Sequence, residues 1–545
     1  MTHSFRLLAV ATGLVAAAQL PAQRLVRDFY GPSTQSDFGS ALARSVDADG
    51  DGRADLVVGA PGTDTTTLVD VGAAYLVSTA NGALLTTALG PAAAARMGTR
   101  VLGPGDLNGD GAIDLVFAGP LANNQNGTVQ AIGSNGTVLW SRYGWAGARM
   151  GSALAFVRDM NGDGGAEIMV STPATVSTTF GYVGSFASQT GQPLTAVNGS
   201  SNGQWGASMV TLGDIDGDGD DDVACSEPLF AGGIGRVSLI RPITGGAASV
   251  YWTTGAAFAA GDNVGYVMGN AGDLTGDGKN DLLVSSTQAR VYLIDGANGG
   301  TIGFVSHPVY ANATSLCGIG DQNGDGVPEF AIGQAAHNSQ AGRVAVHDGA
   351  TRNLLYLLDG APGSRFGASM VALGDVDGDG LGEFAVGAPT HSSGGIAIGR
   401  VAIFGQVIPS QLASYGLGCG GPGGLLQLAA SGLAIPGQTV MMTGSNLPVL
   451  QLGALMLGAS STTSIYGPLP LDLSVIGMGG CSLLQSMEIV DPFVTTASTI
   501  ARPLPLPNDY AFVGFRLYTQ LLMLDPLVPA GLTTSNGVRV RIGNQ

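Results

Sequence analysis

Seven short acidic segments hold most of the chemistry that can be read in this sequence. They begin at Asp47 (DADGDGRAD), Asp106 (DLNGDGAID), Asp159 (DMNGDGGAE), Asp214 (DIDGDGDDD), Asp273 (DLTGDGKND), Asp321 (DQNGDGVPE) and Asp375 (DVDGDGLGE). Oxygen-bearing side chains recur at positions 1, 3, 5 and 9. These are Asp47, Asp49, Asp51 and Asp55; Asp106, Asn108, Asp110 and Asp114; Asp159, Asn161, Asp163 and Glu167; and Asp214, Asp216, Asp218 and Asp222. The last three segments supply Asp273, Thr275, Asp277 and Asp281; Asp321, Asn323, Asp325 and Glu329; and Asp375, Asp377, Asp379 and Glu383. Hard oxygen donors in that number suit Ca²⁺, and the glycine at position 6 permits the sharp turn between them. Position 7 varies freely among Arg53, Ala112, Gly165, Asp220, Lys279, Val327 and Leu381, as a backbone-carbonyl ligand allows. The expectation is up to seven calcium ions, one per segment.

An EF-hand loop starts the same way but needs a bidentate Glu at position 12 and a helix after it. Position 12 here is Val58, Phe117, Val170, Cys225, Val284, Ile332 or Val386, inside apolar runs that read as buried strands. Each loop therefore joins two strands. Asp, Asn and Gly also dominate ordinary turns. Seven copies with the same positions acidic call for a cation, because converging carboxylates repel one another without one.

The elements that position these loops follow from their spacing. Successive copies start 48 to 59 residues apart, which is room for four short strands and their connections. With 88 Gly, 11% charged and 6% aromatic residues among 545, the composition is that of strands joined by many tight turns, an all-β chain. The formal charge of −18 disfavours nucleic acid as a partner. More than half of the acids lie in the seven segments, and seven divalent ions would offset most of that charge. Residues 1–22, with Arg6 ahead of the apolar run Leu7 to Ala18, read as an export signal too short to span a bilayer. The expectation is an exported protein (secreted, cell-surface-associated or periplasmic) with no transmembrane anchor.

An apolar residue followed by Gly stands nine residues before the first Asp in six copies: Phe38-Gly39, Met97-Gly98, Met150-Gly151, Trp205-Gly206, Val264-Gly265 and Phe366-Gly367. The sixth copy has Asn312-Ala313 instead. Gly59-Ala60-Pro61 and Gly387-Ala388-Pro389 complete the pattern in the first and last copies. This resembles the FG-GAP repeat of integrin α-subunit propellers and of related bacterial exported proteins. The resemblance implies a seven-bladed β-propeller over 24–405, with a calcium loop between the first two strands of each blade. The last repeat, from Phe366 to Gly405, lacks its final strand. Leu25 to Gly31 resembles the fourth-strand segment Leu354 to Gly360, so the N-terminal stretch is expected to complete the last blade and remove open sheet edges.

Beyond about Gly405 the acidic loops stop. Runs at Gln438 to Thr443, Phe512 to Leu517 and Val538 to Ile542 read as strands of a small β-sandwich-like domain over 408–545. Cys419 and Cys481 share this region and can pair in an oxidising compartment, whereas Cys225 and Cys317 read as small buried hydrophobes. Two functions fit. The first is a non-catalytic binding or adhesion module for a protein or glycan ligand, which the integrin resemblance favours. The second is a carbohydrate-active lyase or hydrolase on a calcium-stabilised propeller. The five histidines, His3, His307, His337, His347 and His391, lie singly, and there is neither a GxSxG elbow nor an HExxH helix. Acids outside the loops, such as Asp70, Glu227, Asp262, Asp295 and Asp348, are scattered.

Overall fold

The computed structural model describes residues 23–544 apart from 174–179, 202, 243–247, 255–257, 307–312, 408–409, 422–423, 477, 479 and 509–511. The expected export signal and the residues His307 and Asn312 lie outside it. Almost all of the regular structure is strand, 49% against 3% helix.

Seven four-stranded antiparallel sheets repeat along the chain, six of them built from sequential strands. The first runs Ala41–Arg44, Leu56–Ala60, Ala73–Val77 and Leu84–Leu89. The second strand of each sheet is wholly buried, as in Leu56–Ala60 and Asp281–Ser286, which explains its unbroken apolar run. The first strands contact one another in a closed cycle, and Ala41–Arg44 meets both Arg100–Gly105 and Ser369–Gly374. The protein is thus a seven-bladed β-propeller with its first strands around a central channel. In the seventh sheet the outermost strand is Gln23–Tyr30, which pairs antiparallel with Arg400–Gln406, Tyr30 opposite Arg400 and Gln23 opposite Gln406.

The apolar-Gly pairs are joints between blades. Phe38, Met97, Trp205, Val264 and Phe366 are all buried. Each of Gly72, Gly127, Gly235 and Gly342, at the start of a third strand, bridges in parallel to Met97, Met150, Val264 and Phe366 of the following blade. Gly98, at φ +85°, sits so close that a Cβ would lie 2.0 Å from the Ala73 carbonyl oxygen. A side chain there would hold two blades apart.

After the propeller, a five-stranded sheet faces a three-stranded one. The larger contains Gln411–Tyr415, Leu532–Arg541, Arg516–Leu524, Leu452–Gly458 and Ile489–Val494. The smaller contains Gln427–Ser431, Thr439–Ser445 and Thr499–Pro505. Leu428, Val440 and Met442 of the small sheet and Leu455, Leu521, Met523 and Val540 of the large one share one core, so the architecture is a sandwich. The strand expected at Phe512 to Leu517 instead begins at Arg516, because Gly514 turns the chain at φ +83°. Cys419 and Cys481 form a disulfide, and Cys225 and Cys317 are buried thiols.

Candidate metal centre

The acidic loops occupy the turn between the first and second strands of every blade, and all seven fold by one hydrogen-bonding scheme. Both oxygens of the position-1 aspartate accept backbone amides. Asp47 takes Gly50 N–H on Oδ1 and Gly52 N–H on Oδ2, each at 2.7 Å, and Asp375 takes Gly378 and Gly380 at 2.6 and 2.8 Å. Asp106, Asp159, Asp214, Asp273 and Asp321 repeat the pattern. These bonds, led by that from Gly52 to Asp47 and from Gly164 to Asp159, hold the two carboxyls below the usual range. The position-5 carboxylate accepts the position-7 amide in every copy: Arg53 to Asp51, Ala112 to Asp110, Gly165 to Asp163, Asp220 to Asp218, Lys279 to Asp277, Val327 to Asp325 and Leu381 to Asp379, at 2.8 to 3.0 Å. A backbone contact of this kind explains why position 7 tolerates any side chain.

Position 9 is the buried floor of the loop. One oxygen of Asp55, Asp114, Glu167, Asp222, Asp281, Glu329 and Glu383 accepts the amide of the position-2 residue in its own loop. The second oxygen sorts the copies into three groups. Asp55, Asp114 and Asp281 turn it away, to the amides of Thr79, Ser134 and Gly296 between the third and fourth strands. Glu167 and Glu329, one methylene longer, turn it into the loop, where Oε1 accepts from Asn161 Nδ2 at 2.6 Å and Asn323 Nδ2 at 2.8 Å. In the fourth and seventh loops, Asp222 Oδ1 and Glu383 Oε1 are buried with no hydrogen-bond partner.

Three carboxylates bring ligand atoms within 4.8 Å of one another in five loops: Asp47, Asp49 and Asp55; Asp159, Asp163 and Glu167; Asp214, Asp216 and Asp218; Asp321, Asp325 and Glu329; and Asp375, Asp377 and Glu383. In the second and fifth loops, where position 9 is a short Asp and position 3 is Asn108 or Thr275, no such trio forms among the described residues. Loss of water is the main cause that raises position 9: Asp281 to about 6, Asp222, Glu167 and Glu329 to about 7, and Glu383 to about 8, with neighbouring carboxylates pushing the same way. An all-oxygen donor set, carboxylates crowded against like charge and an orphaned buried oxygen on Glu383 together fit a hard divalent cation.

Two loops also meet arginines that sequence reading does not place. Arg241 Nη1 lies 2.6 Å from Asp216 Oδ2 in the fourth loop, and Arg24 pairs with Asp377 in the seventh. Asn544 Nδ2 donates to Asp379 Oδ2 at 3.1 Å and to the Gln406 carbonyl at 2.6 Å, joining the end of the sandwich to the seventh loop.

Several acids and histidines outside the loops have structural partners. Glu227 is held by Arg236 at 2.7 Å and by the Ser200 amide, and Asp262 accepts from Tyr292 Oη at 3.0 Å. Asp295 and Asp348 cap turns through the amides of Ala297 and Thr351, while Asp70 lies 3.4 Å from Arg96. His347 stacks on Phe330 and His391 sits beside Tyr30.

The FG-GAP repeat family matches residues 38–77, 205–240 and 366–404, each span running from the apolar-Gly joint through the acidic loop into the third strand of a blade. The FG-GAP-like repeat family matches residues 273–332. Integrin alpha-PS2 of Drosophila melanogaster is 30% identical over 185 residues, covering 34% of this chain and 10% of the relative's length. The chain therefore carries FG-GAP repeats, folded as blades of its propeller and similar to those of an integrin α chain.

Proposed function

We propose that this protein is an exported, calcium-loaded binding module that presents a propeller face to a protein or glycan partner without catalysing a reaction. In this reading residues 24–405 form the propeller unit, closed by the N-terminal strand, and residues 408–545 form the second unit. The observation that carries the calcium assignment is the common loop scheme: position 1 pinned by two glycine amides, position 5 by one amide, and position 9 buried beneath them. Calcium, when bound, supplies the charge that lets three carboxylates stay ionised within one loop. The chain's own amides orient those carboxylates beforehand, so little side-chain freedom remains to be lost on binding.

The similarity to an integrin α chain supports a binding role, and Asp70, Glu227, Asp262, Asp295 and Asp348 are engaged by partners within the fold. Elemental analysis of the purified protein, after exchange into buffer with micromolar calcium, is expected to find about five tightly held calcium ions per chain. One or none would overturn the calcium assignment. A combined glycan and protein array, followed by product analysis of any glycan retained, tests the rest. Retention without cleavage supports the binding module, and depolymerisation of a bound polysaccharide would replace it with the enzyme reading.

A further inference from the structure

The first strands enclose a central channel of about 700 Å³. Among the described residues its wall includes Arg44 and Arg100 and contains no Asp, Glu or Lys, in a chain whose formal charge is −18. Arg44 stands at the end of its strand, against Gly374 beside the acidic seventh loop. Arg100 opens its strand at the opposite end, next to the blade joint Met97-Gly98. There it also lines a second cavity of about 220 Å³ between the second and third blades, together with Leu121, Arg149, Ser152 and Gln204. Among the described residues this cavity again contains no acidic side chain.

Neither arginine has its charge neutralised there. Arg100 makes no ion pair among the described residues, and its Nη1 donates only to the neighbouring Thr99 carbonyl at 2.8 Å. Although its surface faces channel water, enclosure by the channel wall lowers its pKa, with no carboxylate to offset the effect. Arg149 donates Nη2 to Gln125 Oε1 at 3.0 Å, but its Nε is buried without a partner. A buried guanidinium N–H without an acceptor is costly, and a planar fork of such donors matches an oxyanion.

We propose that the cavity shared by Arg100 and Arg149 at the channel mouth binds a small oxyanion, either a free tetrahedral anion or the carboxylate of a sugar acid. At about 220 Å³ the space is that of roughly seven water molecules, enough for one monosaccharide-sized anion. Ser152 and Gln204 offer neutral hydrogen-bonding groups, and Leu121 an apolar face. This site lies at the end of the channel away from the acidic loops and does not depend on their metal.

Isothermal titration of the full chain at fixed calcium and ionic strength, with sodium sulfate, sodium glucuronate and glucose as probes, tests this. Saturable binding of at least one anion at a single site, with none of glucose, is expected. Tighter binding of glucuronate identifies the sugar-acid source, and tighter or equal binding of sulfate identifies the free anion. Arg100→Gln and Arg149→Gln should each weaken binding at least tenfold while leaving the melting temperature within a few degrees of the parent. If Arg100→Gln fails to fold, Arg149→Gln and Arg100→Lys carry the test. No saturable heat with either anion, or unchanged affinity in both arginine variants, overturns the proposal.

Discussion

Removing calcium should cost this propeller a large part of its stability, and the structure allows the size to be worked out. Five loops bring three carboxylates within 4.8 Å. A site with free calcium at ten times its dissociation constant stabilises the folded state by about 1.4 kcal/mol, so five such sites contribute about 7 kcal/mol. That is comparable to the whole stability of an ordinary domain. Unfolding some 380 residues carries an entropy of about 0.8 kcal/mol/K, so the melting temperature should fall by about 9 °C on chelation. Differential scanning calorimetry in 1 mM calcium, then in excess chelator, then after calcium is restored, reads this directly. The fall should reverse on restoration and should not be rescued to the same extent by magnesium, which prefers a rigid octahedral shell. A chelator-induced shift below about 2 °C would refute the reasoning, because loops that keep their shape unaided need no ion.

The calcium-free protein should melt at higher temperature at pH 5 than at pH 8. Burial raises Asp222, Glu167 and Glu329 to about 7 and Glu383 to about 8, so the stabilisation is fully present below their unfolded values and is lost as pH rises through 7 to 8; a chelated melt that is flat or rises across that window contradicts it. Arg241→Gln removes a guanidinium from Asp216 and should tighten the fourth site severalfold, seen as a shift in one component of a calcium titration. Glu329→Asp should weaken the sixth site in a calcium titration, since a side chain one methylene shorter withdraws the oxygen that Glu329 turns into the loop toward Asn323. Trp205→Ala, at a joint where the indole is 2% exposed, should cost about 3 to 5 kcal/mol by denaturant titration without altering calcium stoichiometry.

The blades and loops were legible because their signals are local. A loop of nine residues sets its own hydrogen bonds, and an unbroken apolar run such as Leu56–Ala60 needs two covered faces. The sandwich was legible in outline only, since its strands have mixed patterns: Arg516–Leu524 starts where Gly514 turns the chain, a local conformation that apolar content does not reveal. What could not be read was contact over distance. Arg24 and Asp377 are 353 residues apart, and nothing near either residue announces the other. The different roles of the second position-9 oxygen were hidden for a related reason. They depend on whether an amide from the turn after the third strand, such as Thr79 or Ser134, comes within reach of a side chain one methylene shorter.

The seventh loop shows why that distant information matters. Its blade is closed by Gln23–Tyr30, and Arg24 on that strand pairs with position 3 of the loop, while Asn544 from the end of the sandwich binds position 5. The same Asn544 amide holds the Gln406 carbonyl at the last residue of the closing strand pair. Ring closure, the acidic loop and the junction with the sandwich therefore share one cluster of charge around Asp377, Asp379 and Glu383, with Asp379 only 7% exposed. The other loops bond within their own blade or to a neighbouring one, as Asp221 does to Arg158; here the loop ties together chain segments more than 350 residues apart, and by the loop-closure argument a contact of that span removes the most freedom from the unfolded chain. A cation in this loop would thus act on the closure of the whole ring as well as on a single turn.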